Sequence, residues 1–462
     1  MKNFFKLLIK AIRGEEEDFT SGPIRRSIFL LAVPMILEMV MESLFALVDV
    51  FFVSRVGTEA VATVGLTEVV LMTVESIALG IAMAATAMVS RRIGEKNKKG
   101  ARKAAVQTIF LGLIISIPIG IAFWFGAEKV LELMGGSPHL IEEGATYTRL
   151  ILGFNGLLFF LFILNAIFRG AGDASIAMRV LWLANGINIV LDPCLILGLG
   201  PFPELGVTGA AVATCIGRGT GVLFQLYFLF FSKKSVIKLR RSDFVWVTAT
   251  IARLFKVSIT GAWQYLIAVA SWVFLVRIIS SFGDQPLAGY TIAIRILIFT
   301  ILPAWGMANA AATLVGQNLG AGKPERAEKS VWLAGFYNMV FLSIVSVIFF
   351  AAAPWIIKLF SDDPLVISEG VKGLRIMCLG YIAYGYGMVI SSSFNGAGDT
   401  KTPMYFNLIS FWLIQIPLAY FLAHPMGLEA QGTYWAIAAS ESILAIIAIY
   451  VFRLGKWKTI SI

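Results

Sequence analysis

Asp192 is the single acid in an otherwise apolar stretch, N-G-I-N-I-V-L-D-P-C-L-I-L-G from Asn185 to Gly198. On a helix Asn188 lies one turn before it and Asn185 nearly two, so three polar side chains share a face. A charge at the middle of a bilayer costs at least ~2.5 kcal/mol, and such residues are turned toward a cavity, a partner or an ion path. Glu38, Glu42 and Asp49 fall on one face of the first apolar segment, and Glu68 and Glu75 share a face of the second. At ~1.5 Å per residue, Asp49, Asp192 and Thr214 all come ~10 Å below the outer end of their helices, where they can meet. Arg218, one turn from Thr214, is placed beneath them as a counter-charge. The chemistry on offer is the uptake of a cation: hard oxygen ligands for sodium, or carboxylates for a proton. Asn188 and Thr214 alone would be ordinary interhelical hydrogen-bonding residues. For Glu38, Glu42, Glu68 and Glu75, ion pairing or exposure in a watery cleft weighs equally with a transport role.

The elements that must position these groups are membrane helices. Of 462 residues, 58% are hydrophobic and 14% charged, far below the quarter or so that soluble chains carry. Uncharged runs long enough to cross a bilayer recur, and with the acid-interrupted segments they make twelve helices. The fold expected is all-α and integral to the membrane. Spans are placed near residues 28–54, 61–89, 104–126, 145–168, 177–199 and 208–231, then 251–281, 287–316, 331–352, 371–394, 403–423 and 433–453. The net charge of +10 is carried by alternate loops: Arg91 to Lys103, then Lys233, Lys234, Lys238, Arg240 and Arg241, then Lys323, Arg326 and Lys329, then Lys456 and Lys458. The loops between hold Glu128, Glu132, Glu142 and Glu143, or Asp362 and Asp363. By the positive-inside rule both termini are cytoplasmic in a multi-pass cell (inner) membrane protein, and the charge implies no nucleic acid.

The first residues place Lys2, Lys6, Lys10 and Arg13 opposite Phe5, Leu8, Ile9 and Ile12, and run into Glu15, Glu16, Glu17 and Asp18. That is the pattern of an interfacial helix, and it lacks the unbroken apolar core of a cleaved signal. Cys194, Cys215 and Cys378 stand singly as packed thiols. His139 and His424 fall in outer loops, so neither a metal set nor an enzyme's nucleophile and base is visible, and no cofactor is expected.

The chain is a duplication. An offset of 226 carries Gly80 in G-I-A-M-A-A-T-A-M-V onto Gly306 in G-M-A-N-A-A-A-T-L-V, Gly57 onto Gly283, Arg149 onto Arg375, and R-G-A-G-D (Arg169 to Asp173) onto N-G-A-G-D (Asn395 to Asp399). Six helices per copy give both copies the same orientation, hence two lobes related by a pseudo-twofold axis along the membrane normal. The divisions are an amphipathic segment 1–22, a first lobe 23–231, a basic linker 232–250, a second lobe 251–453 and a tail 454–462. Gly-Ala-Gly-Asp reads as a tight turn, since no Walker lysine follows it. Prolines 34, 118, 193, 303 and 417 interrupt hydrogen bonding within spans; each is a static kink or part of a gate.

L-A-V-P (Leu31 to Pro34), L-V-D-V-F-F-V-S-R-V-G (Leu47 to Gly57), the duplicated F-x-G-A-G-D turn and N-I-V-L-D-P (Asn188 to Pro193), in this order, resemble the multidrug and toxic compound extrusion (MATE) transporters, and among them the DinF-like branch. The resemblance covers the chain from about Gly22 onward. It implies a monomeric antiporter in the lipid bilayer that exports small organic cations or amphipathic drugs in exchange for H+ or Na+. Carried over residue by residue, it implies cation coupling at Asp49, Asn188, Asp192 and Thr214, with sodium possible at the same four. It also implies Asn165 before the R-G-A-G-D turn as a cleft residue and Pro34 as the site of a gating bend. Glu38, Glu42, Glu75, Gln264 and Arg295 complete the cleft candidates. Gln264 stands near where the NorM-like branch has an acid, which weakens the case for a second-lobe cation site. A flippase for lipid-linked saccharides is the nearest alternative; those clefts are strongly basic, and this first lobe is acidic.

Overall fold

A backbone surrounded by hydrocarbon must satisfy its own polar groups, and helices do this within one segment. The computed structural model describes residues 2–15, 17–232 and 235–462; Met1, Glu16, Lys233, Lys234 and the side chains of Lys2, Asn3 and Phe4 lie outside the described residues. A short α1 (Lys2–Arg13) precedes α2 (Ile24–Val53), α3 (Thr58–Gly94), α4 (Lys98–Leu133), α5 (Pro138–Gly153), α6 (Asn155–Ala171), α7 (Ala174–Ile196) and α8 (Gly206–Phe230). The second half contains α9 (Thr248–Ser280), α10 (Asp284–Gly320), α11 (Pro324–Lys358), α12 (Pro364–Leu379), α13 (Tyr381–Ala397), α14 (Lys401–Asn407), a π-helical segment Leu408–Gln415, α15 (Ile416–Ala423) and α16 (Glu429–Arg453). α5 with α6, α12 with α13, and α14 with the π-helix and α15 each make one crossing, so the described residues contain twelve spans. Several helices outrun the expected apolar spans: α3 continues to Gly94 through Arg91 and Arg92, which prolong it beyond the apolar layer. Asn97 and Ser137 cap α4 and α5 by accepting from backbone N–H groups three residues on, at 2.8 and 3.2 Å.

The duplication is visible in detail. At an offset of 226 the bounds of α3 coincide with those of α10. The α5–α6 break at Phe154 matches Gly380, where α12 and α13 meet at 54°. Gly172 and Gly398 end α6 and α13 in the left-handed conformation, at φ 92° and 91°. Arg149 donates to the Trp124 carbonyl at 3.2 Å, and Arg375 to the Phe350 carbonyl at 2.9 Å. The last pair, α8 and α16, is offset by 223 because the link before α16 is shorter. The breaks at Phe154 and Gly380 do not fall at prolines, and α2, α4 and α10 run on through Pro34, Pro118 and Pro303, whereas Pro417 stands at the start of α15, where the π-helical segment ends.

The lobes meet where α3 packs on α9 and α10 on α2. Glycines related by the duplication bring backbone against backbone there. A methyl group at Gly80 would stand 2.6 Å from the Ala262 nitrogen, and one at Gly306 would stand 2.6 Å from the Met35 carbonyl. Nearer the termini, Gly94 abuts the main chain of Gln317, and Gly320 abuts that of Arg91. Gln317 and Arg91 are themselves 226 apart, so the interface is self-complementary, as a twofold interface must be. Gln317 also donates across it to the Gly170 carbonyl at 3.0 Å.

On the face that carries both termini, the chain ends are tied down. Arg179 of α7 donates to the Ile12 and Arg13 carbonyls at 2.9 and 2.7 Å. Lys323 and Arg326 of the second lobe hold the Thr20 and Gly22 carbonyls at 2.8 and 2.7 Å. Trp457 is buried with its ring stacked on Phe452 at 4.7 Å. Beyond it, Arg91 donates to the Ile460 carbonyl and Arg92 to the Ile462 main-chain oxygen at 3.3 Å. The tail thus crosses from the second lobe to the first.

Gly306→Ala forces the α2–α10 crossing apart and is expected to destabilise the protein by about 1–3 kcal/mol, as overpacking does. Thermal unfolding in detergent measures this, with Gly65→Ala, where nothing lies within 4 Å of the new methyl, as the control that leaves the transition in place. At the N-terminal segment, a hydrogen bond from Lys10 holds the Glu17 carboxyl below its ordinary value of 4.5, and Arg26 at 2.8 Å adds to this. A depressed acid contributes stability above its unfolded value and loses it as pH falls through the folded value. Hydrogen exchange over residues 5–22 should therefore accelerate below pH 4.5, and Glu17→Gln should show the same acceleration already at neutral pH.

Candidate functional site

Asp192 is fully buried on α7. Asn188, one turn before it, faces Thr214 of α8, and its amide links the two. In the orientation that satisfies both ends of the amide, Nδ2 donates to Asp192 Oδ2 at 2.8 Å, while the oxygen accepts from the Thr214 hydroxyl at 3.1 Å and its N–H at 3.0 Å. Asp192 Oδ1 has no hydrogen-bond partner among the described residues. Asp49 of α2 is close enough for its charge to act on Asp192, and Glu68 of α3 and Arg218 of α8 act on Asp49 in turn. The structure thus brings Asn188, Asp192 and Thr214 into one hydrogen-bonded cluster, with Asp49 in charge contact with Asp192 and Arg218 with Asp49. An unpartnered carboxylate oxygen, a second carboxylate and a hydroxyl make a set that can accept a proton or a small hard cation.

Nearer the termini lies a second polar network. Arg169 donates to Glu38 Oε1 at 2.7 Å, and Asn165 donates to the same oxygen at 3.2 Å. Gln225 of α8 donates to Asn165 Oδ1 at 2.7 Å and to the Leu161 carbonyl at 3.0 Å. Glu38 and Asn165 are each 1% exposed, so both are buried members of this network and neither lines the cavity between the lobes. In sequence Arg169 reads as part of the R-G-A-G-D turn. It sits in the last turn of α6, and Gly172 closes the helix after it. A signal was available: at the 226 offset Glu38 becomes Gln264 and Arg169 becomes Asn395, so an acid and a base are replaced together.

Between the lobes is a cavity of about 240 Å³. Glu42, Glu75 and Arg169 stand on its first-lobe wall; Tyr265, Trp305, Asn309 and Asn395 line it from the second, and Met39, Met83 and Phe162 add apolar surface. Asn185 donates to Glu42 Oε2 at 2.9 Å, and the charge of Arg218 reaches Glu75. Tyr265 and Trp305 meet edge to face with centroids 5.8 Å apart. Gln264 is buried outside this lining, with its side-chain oxygen unpartnered among the described residues. Arg295 is exposed, and its charge acts on Glu68 across the lobes. Pro34 is buried within an unbroken α2.

Removing one member of a buried ion pair strands the other charge, at about 3–5 kcal/mol. Arg169→Met should therefore lower thermal stability by that order, whereas the double variant Glu38→Gln with Arg169→Asn, which copies the second lobe, should recover most of it. Unfolding curves of the two variants in one detergent compare them directly; equal losses would deny the pair its structural linkage.

The MatE family model matches this chain twice, over residues 34–194 and 262–421, once per lobe. A probable multidrug resistance protein NorM from Thermotoga maritima is 28% identical over 94% of this chain and 93% of its own. An FAD transporter from Shewanella oneidensis is 24% identical over 93% of this chain and 95% of its own. Among solved structures, a MATE in its straight conformation superposes with a TM-score of 0.91 at 27% identity, covering 96% of this chain and 100% of that one. A MOP superfamily transporter from Pyrococcus furiosus gives 0.90 at 27% identity, with 96% and 100% covered. With one match in each lobe and relatives alike over nearly their whole length, this chain belongs to the MatE family of membrane transporters.

Proposed function

We propose that the protein is a secondary active multidrug exporter. It moves cationic or amphipathic compounds outward across the cell membrane in exchange for protons or sodium ions, by alternating access. The moving bodies are the lobes 23–231 and 251–453, joined by the linker 232–250, and both termini face the cytoplasm as the distribution of basic loops requires. The observation that carries this reading is the buried cluster of Asp192, Asn188 and Thr214 with Asp49 in charge contact, in which Asp192 Oδ1 is unpartnered among the described residues.

Two carboxylates in charge contact within an apolar bundle repel, and a proton or sodium ion bound at the cluster relieves the repulsion. Asp49 and Asp192 stand on different helices, so the occupied and empty cluster favour different packings of α2 against α7. Movement of α2 is passed to the other lobe, because Met35 and Ile36 on the same helix bear directly on Gly306 of α10. Pro34 beside them lacks a backbone donor, which leaves that turn of α2 compliant. The cavity supplies the substrate's surroundings: Glu42 and Glu75 for positive charge, Tyr265, Trp305 and Phe162 for a planar apolar body. Its one base, Arg169, is already paired with Glu38, so a polyanionic lipid-linked saccharide fits this lining poorly.

In proteoliposomes loaded with a fluorescent cationic dye, pH and sodium gradients imposed separately should show which ion drives efflux. Asp192→Asn keeps the shape of the site and removes its charge, and should abolish the driven component. Undiminished efflux by Asp192→Asn would sink the coupling role, and a wild type indifferent to both gradients would sink the antiporter.

A further inference from the structure

At the face that carries the termini, a cleft of about 600 Å³ opens between the first turns of α9 and α14. Arg253 and Lys256, nearly one turn apart on α9, and Lys401 at the start of α14 reach it, against one acid, Asp399. Both carboxylate oxygens of Asp399 accept from Thr402, at 3.2 and 2.6 Å. The three cationic side chains are exposed, and none has an ion-pair partner among the described residues. The uncharged polar floor is Thr260 and Thr400, whose hydroxyls bond one another. Three bases against one side-chain acid leave the site concave and positively charged.

Its position selects the source of the anion. Deeper along α9 than Arg253 and Lys256, Ile259 and Trp263 are exposed, at 44% and 54%, and α14 presents Tyr405. α9 and α14 begin membrane spans, so these apolar groups face hydrocarbon and the three bases stand at the level of lipid headgroups. We propose that this cleft is a binding site for the headgroup phosphate of an anionic phospholipid, with the acyl chains lying along Ile259 and Trp263. Residues Ile460 to Ile462 form one wall of the cleft, and it is these residues that Arg91 and Arg92 of the first lobe hold. The site is complete only while the tail bridges the lobes, so an occupying lipid favours the closed state of this face.

The full-length protein is exchanged into vesicles of phosphatidylcholine with and without phosphatidylglycerol, and lipid retention is read by native mass spectrometry alongside the thermal transition. Wild type should retain phosphatidylglycerol and unfold at a higher temperature in its presence, while inorganic phosphate added to phosphatidylcholine vesicles should do neither. At about fivefold per cationic side chain near a membrane surface, Arg253→Gln, Lys256→Gln and Lys401→Gln together should lower the preference for phosphatidylglycerol roughly a hundredfold. Lys99→Gln with Lys329→Gln, which removes bases from the same face outside the cleft, should lower the preference far less than the cleft variants do. Should the triple variant unfold in phosphatidylcholine alone, Lys401→Gln by itself, expected to lose about fivefold, takes its place. The proposal is overturned if the cleft variants keep the wild-type preference, if the control pair loses as much as they do, or if inorganic phosphate reproduces the stabilisation.

Discussion

Two helical bundles in hydrocarbon gain little from burying apolar side chains against each other, because the lipid they displace is as apolar as they are. What holds these lobes is close backbone contact: α3 on α9 at Gly80, α10 on α2 at Gly306, and the reciprocal meeting of Gly94 with Gln317 and Gly320 with Arg91. The rest of the molecule is arranged around that line. The four helices that make it also supply most of the polar wall of the central cavity, through Glu42, Glu75, Tyr265, Trp305 and Asn309. A substrate site on the seam between two bodies is exposed by rocking at the seam, and needs no rearrangement inside either lobe.

On that symmetric scaffold the charges are distributed asymmetrically. At the 226 offset Glu38, Asn165 and Arg169 meet Gln264, Ser391 and Asn395, and Asp49 and Asp192 meet Leu275 and Leu418. With the 223 offset of the last helix, Arg218 meets Glu441. The second lobe packs the same helices with neutral groups at most of these places, so the fold does not require the first lobe's charges. A buried ion pair is a poor means of gaining stability, since desolvation offsets its attraction. Charges retained where neutral residues demonstrably suffice are better explained by what they bind or by how they bias one lobe against the other.

Most of the architecture was legible in the sequence because it rests on strong, local signals: long apolar runs, a repeat holding one register, and polar residues at helical spacing. The Asp192, Asn188 and Thr214 cluster was legible for the same reason, since two of the three lie one turn apart and depth alone located the third. Hidden features were those decided by long-range packing. The breaks at Phe154 and Gly380 carry no proline, whereas α2, α4 and α10 run on through Pro34, Pro118 and Pro303. Arg169 resembled a turn residue because a glycine follows closely, and only the fold shows that its side chain reaches back to α2. The π-helical segment Leu408–Gln415 has no counterpart in α7, and nothing in its composition sets it apart from the rest of its span.

The chain ends bear on how far the cluster can move the lobes. Lys323 and Arg326 hold the segment before α2, and Arg91 and Arg92 hold the tail, so each lobe grips a strap from the other. Hydrogen bonds to charged donors contribute about 1.5–3 kcal/mol each when they must be given up. Inverting a two-state preference from 1:99 to 99:1 takes about 5.5 kcal/mol. Two straps of two such bonds are thus of the same order as the whole bias to be overcome. In the alternating access proposed here, opening this face requires the cation cluster to supply a comparable difference between its two states. Asp192 is fully buried and Asp49 half-buried, so a proton or sodium ion at this pair relieves a repulsion that water screens less than it screens exposed carboxylates such as Glu68.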